Sequence, residues 1–66
     1  MKTKELMKKL ENVQFLSANQ AKNLAKTAMH EIDNADMKDA LERQLFDIKH
    51  ANGSTNTIFN IVEKYL

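Results

Sequence analysis

Sixty-six residues with no cysteine, no proline and one glycine make a single domain, 1–66, that has neither disulfides nor thiolate metal sites to hold it. Charged residues make up 29% of the chain but nearly cancel, to a net charge of +1, so the overall balance demands no anionic partner. A chain this short buries only about 60% of the surface its unfolded form exposes, which leaves regular helix packing or self-association to stabilise it.

Thr3 is a residue type that caps helices, and Leu6, Leu10 and Val13 follow at helical spacing, which predicts a first helix over about 3–14. Ser17 with Gln20 three residues on forms a capping box, flanked by Leu16 and Ala21 at the positions of a hydrophobic staple. A second helix over 18–31 follows, with Ala21, Leu24, Ala25, Ala28 and Ile32 on one stripe. The segment Ile32-Asp33-Asn34-Ala35-Asp36 collects residues that prefer caps to helix interiors. Asp33 as the cap would set Ile32 against Met37 as a staple and place Asp36 in the first turn, where the helix dipole favours an anion. One unbroken helix to residue 51 would be about 50 Å long at 1.5 Å per residue, too long for so small a core.

The third helix, over 34–50, carries Met37, Leu41, Leu45 and Ile48 on its apolar side. Asn52-Gly53 ends it, glycine supplying the left-handed conformation that helix termini favour. Asn52-Gly53-Ser54 also matches a glycosylation sequon, but the helix-ending turn explains it. Ser54 or Thr55 then caps a fourth helix over 55–66, with Ile58, Ile61, Val62 and Tyr65 in register. The expected fold is all-α: a compact bundle of four short helices, the fourth packed across the hairpin of the second and third.

Little is left for chemistry. His30 lies opposite the apolar stripe of its helix, among Asn19, Asn23 and Lys26, and no metal-binding spacing of histidines is present. Asp33, Asp36 and Asp39 lack the glycine turn and further oxygen ligands of a calcium loop. Ser17 and Ser54 are accounted for as caps, and a single glycine cannot build a phosphate-binding loop. The expectation is therefore no enzymatic activity, no cofactor and no metal. No apolar run approaches the ~18 residues of a membrane span, and the lysine-rich start is not followed by the apolar stretch of a secretion signal. A cytoplasmic protein is expected.

Core formation does not use every large apolar residue, and the surplus either meets a partner or is covered by another part of the chain, such as Phe15 or the tail over Phe46. Phe46 falls opposite the stripe of the third helix, among Asp39, Glu42, Arg43, Lys49 and His50, an aromatic anchor inside a charged rim. The apolar arc of the fourth helix, from Ile58 and Phe59 through Ile61, Val62 and Tyr65 to Leu66, is wider than packing on one neighbour requires, so the part that is not core either embeds the helix among the other three or meets a second copy. Phe46, Phe59, Ile61, Tyr65 and Leu66 are therefore the expected partner-binding residues. The reading is a small non-catalytic protein-interaction module, a regulator, inhibitor or adaptor, that forms a homodimer or higher oligomer.

Charge asymmetry supports one alternative. Residues 1–30 hold six lysines against two acids, and residues 31–49 six acids against three bases. Lys22 and Lys26 could contact nucleic-acid phosphates beside Asn19, Gln20 and Asn23. The lone arginine, Arg43, lies in the acidic third helix, and the acidic turn between helices would face phosphates poorly, so a DNA-binding regulator is the second choice.

Overall fold

Ser17 and Gln20 close the expected capping box. The Gln20 N–H donates to Ser17 Oγ at 3.1 Å, and the Ser17 N–H donates to Gln20 Oε1 at 2.9 Å. In this computed structural model, which describes residues 1–50 and 53–66, that box starts α2 (Ala18–Glu31). The other helices among the described residues are α1 (Lys2–Leu10), α3 (Ala35–Lys49) and α4 (Thr55–Tyr65), and there is no strand. The fold is an all-α four-helix bundle.

α2 is the helix on which the others assemble, since it packs against α1, α3 and α4. Its buried face is Ala21, Leu24, Ala25 and Ala28, and three alanines in four positions let neighbouring backbones approach closely. Met37 and Leu41 of α3 and Ile58 and Val62 of α4 are also fully buried, and Met7 and Leu10 of α1 nearly so. α4 lies against both α2 and α3, across their hairpin.

The break between α2 and α3 occurs where the cap-forming residues cluster, but Asn34, not Asp33, is the cap. Asn34 Oδ1 accepts the Met37 N–H at 2.9 Å. Ile32 ends α2 in an extended conformation with its side chain packed on the core, so the chain needs two further residues before a helix can restart. Ile32 and Met37 consequently do not occupy the staple positions. Asp36 does lie in the first turn.

α1 is shorter than its spacing predicts, ending at Leu10 rather than near residue 14. The Val13 N–H donates to the Leu10 carbonyl at 3.0 Å, and the chain then turns toward the start of α4. There Asn56 acts as a surrogate backbone: its Nδ2 donates to the Gln14 carbonyl at 3.0 Å and its Oδ1 accepts the Leu16 N–H at 3.2 Å. The Thr55 hydroxyl donates to the Leu16 carbonyl at 2.6 Å. With these backbone groups satisfied by side chains, the helix can stop without leaving polar groups orphaned, and Leu16 is free to enter the core.

Two expected capping bonds are absent. Thr3 lies inside α1, fully buried, and Met1 stands at the cap position without a side-chain bond. Ser54 occupies the cap of α4 but makes no side-chain bond there, and Thr55 spends its hydroxyl on the α1–α2 loop. The Asn52 half of the Asn52-Gly53 turn, and of the sequon, lies outside the described residues. Gly53 is not in the left-handed region; a Cβ there would sit 3.0 Å from Asp47 Cβ and 3.3 Å from the Ile48 nitrogen, so its small size is what the fold uses.

Candidate interaction surface

α4 packs between two helices, and this consumes most of its wide apolar arc. Ile58 and Val62 are buried, while Phe59, Ile61 and Tyr65 are partly buried and packed against the core. Phe59 also borders a small cavity of about 110 Å³ with Leu10, Val13 and Leu16 under the α1–α2 loop. Of the partner-binding residues expected on this helix, only Leu66, at its end, keeps a large exposed fraction, 45%. Arc width was a signal of two intramolecular neighbours rather than of a free face.

Phe46 is different. It projects from α3 on the side away from Met37 and Leu41 and remains 63% exposed. Its ring rests against that of His50 one turn on, with centroids 4.3 Å apart and planes tilted by 46°. Beside it a groove of about 470 Å³ runs between the C-terminal half of α3 and the first turns of α2. Leu45 and Ile48, both half-buried, give the groove an apolar lining, Ala18 and Asn19 line it from α2, and Lys22 and Lys49 put cations along it.

Lys22 and Phe46, expected to serve different partners, therefore share one surface. Lys26 does not join them; it borders a separate shallow depression with Lys2, Thr27, His30 and Glu31. Phe15, 74% exposed in the α1–α2 loop, is a further open aromatic that the sequence marks only by its place on no helical stripe.

Beside the Lys26 depression lies a contact that local sequence did not reveal. The Glu31 carboxylate, from the last turn of α2, accepts the Thr3 N–H at 2.6 Å, the Lys2 N–H at 3.0 Å and the Thr3 hydroxyl. It thereby caps α1 from another helix, where the dipole favours an anion. The Thr3 hydroxyl and amide, with smaller help from the Lys2 amide and the N-terminal charge, hold the Glu31 carboxyl below its ordinary range.

Among the described residues no group of three or more His, Asp or Glu side chains could hold a metal ion, and no helix is long and apolar enough to cross a membrane. No protein-family model, characterised protein or solved structure matches the chain.

Proposed function

We propose that this chain is a small non-catalytic protein-interaction module whose working surface is the face of α3 around Phe46 and the groove beside it. The single observation that carries this is Phe46 itself, an aromatic ring 63% open to solvent at the edge of an apolar groove flanked by lysines. Covering the open part of that ring removes about 110 Å² of apolar surface from water, and at ~25 cal/mol/Å² this is roughly 3 kcal/mol. That magnitude is the one expected of an interface hot spot, and Lys22 and Lys49 provide the polar rim that such anchors have. A regulator, inhibitor or adaptor would act through such a surface by occupying a partner's own.

The test compares the immobilised wild-type chain with Phe46→Ala as bait in lysate of the native host. Wild type should retain at least one protein that Phe46→Ala, with unchanged circular dichroism, releases. Identical sets on the two baits would refute the assignment of this face.

A further inference from the structure

The charges flanking Phe46 on α3 also bear on what covers it. We infer that the occupant is a second copy of this chain, docked antiparallel through α3 about a two-fold axis beside Phe46; this rests on the reading of that face as a protein-binding surface. At ~100° per residue, Glu42 lies about 40° to one side of Phe46 and Lys49 about 60° to the same side. That side is the groove side, because Leu45 and Lys49 line the groove. Glu42 and Lys49 are both exposed. Arg43 falls about 60° to the opposite side and does not enter this pattern.

An isologous contact must be self-complementary, because each residue that one copy offers must meet what the other copy offers back. Glu42 stands about 6 Å before Phe46 along the helix and Lys49 about 4.5 Å after it, at 1.5 Å per residue. An antiparallel two-fold arrangement therefore sets Glu42 of each copy beside Lys49 of the other, twice over, on the groove side, and brings the two Phe46 rings together at the axis. Lys22, across that groove, gives the incoming carboxylate a second cation. A parallel arrangement would instead set Glu42 against Glu42 and Lys49 against Lys49. Docking a foreign acidic segment needs only the lysines; an acid and a base placed almost symmetrically about an exposed aromatic are what a second copy needs.

Sedimentation equilibrium of the full chain from low to high micromolar concentration tests this with four variants. Wild type should dimerise, more weakly as salt is raised, and Phe46→Ala should raise the dissociation constant at least about 10-fold. Glu42→Lys and Lys49→Glu should each weaken the dimer by placing like charges together at both ends of the interface. The double variant, Glu42→Lys with Lys49→Glu, should regain most of the lost affinity because it restores both pairs with signs exchanged. All three positions are exposed, so circular dichroism should show the same helicity in every variant. A wild type that stays monomeric at high micromolar concentration overturns the inference, and so does a double variant no tighter than the singles, or a dimer indifferent to Phe46→Ala. A monomeric wild type that still retains a lysate protein lost from Phe46→Ala overturns the second copy as occupant and leaves the protein-docking reading standing. Loss of neither dimer nor captured protein in Phe46→Ala overturns both.

Discussion

Truncating Phe46 and, separately, Leu41 on the same helix compares surface with core at matched backbone context. The fold covers little more than a third of Phe46, which is 63% exposed, whereas Leu41 is fully buried. A third of an aromatic side chain is about 65 Å², worth at most ~1.6 kcal/mol of burial at ~25 cal/mol/Å². Alanine returns about 0.5 kcal/mol through its higher helix propensity, which leaves a net cost near 1 kcal/mol for Phe46→Ala. Leu41→Ala removes fully buried methyl groups and leaves a cavity, at a cost of about 3 kcal/mol. In a chain of this size each 1 kcal/mol shifts the melting temperature by roughly 4–8 °C. Circular-dichroism melts should thus show Phe46→Ala lower by about 4–8 °C and Leu41→Ala by about 12–24 °C. Both belong at a concentration low enough that further dilution changes nothing. At higher concentration the wild-type melting temperature should climb, and that of Phe46→Ala should not, because association stabilises only the folded chain that associates. If Phe46→Ala falls as far as Leu41→Ala in the dilute regime, Phe46 is core and the surface assigned to it does not exist.

Asn56→Ala removes the acceptor for the Leu16 N–H and the donor to the Gln14 carbonyl, two bonds of about 1 kcal/mol each, and should lower the melting temperature by roughly 8–16 °C. Asn60→Ala, exposed on the same helix, should stay within about 0.5 kcal/mol of wild type, and equal effects from the two changes would mean that Asn56 does not hold the loop. Glu31 makes stability depend on pH in a definite direction: its folded carboxyl titrates below the ordinary value of 4.5, so it takes up a proton less readily folded than unfolded. Its contribution is complete above that ordinary value and is lost as pH falls through the lower, folded one. Melts from about pH 6 to about pH 3 should therefore slope less for Glu31→Gln than for wild type, and parallel curves would show that the carboxylate does not cap α1 through its charge.

What could be read in advance follows the range of the interaction that decides it. The capping box of α2 is made by residues three apart, and the division of α3 into Met37 and Leu41 inside and Phe46 outside is helical phase alone. Both were legible. The end of α1 is set by Asn56, some forty positions on, and the start of α1 by Glu31, and no local pattern carries either. Thr3 misled because the same side chain that caps a helix locally also serves, when buried, as a donor to a distant carboxylate. The breadth of α4's arc leaves two readings open because width reports how many neighbours a helix has, not whether those neighbours belong to the same chain.

The groove stands between these cases. Once the chain reverses at Ile32–Asn34, residues equally far from residue 33 on either side rise about equally along the two helices and stand at the same level. Ala18 then falls level with Ile48 and Lys22 level with Gln44 and Leu45, and of these Ala18, Lys22, Leu45 and Ile48 line the groove beside Phe46. Lys26, four residues closer to the turn, falls opposite Ala40, a full helical turn and more short of Phe46, and it duly borders another depression. Moving the reversal by one residue would slide each facing position by two, about 3 Å along the helix, and would turn a different side chain toward Lys22. The meeting of Lys22 with the Phe46 face thus depends on where α2 stops, and Ile32, extended and anchored on the core, is what fixes that point.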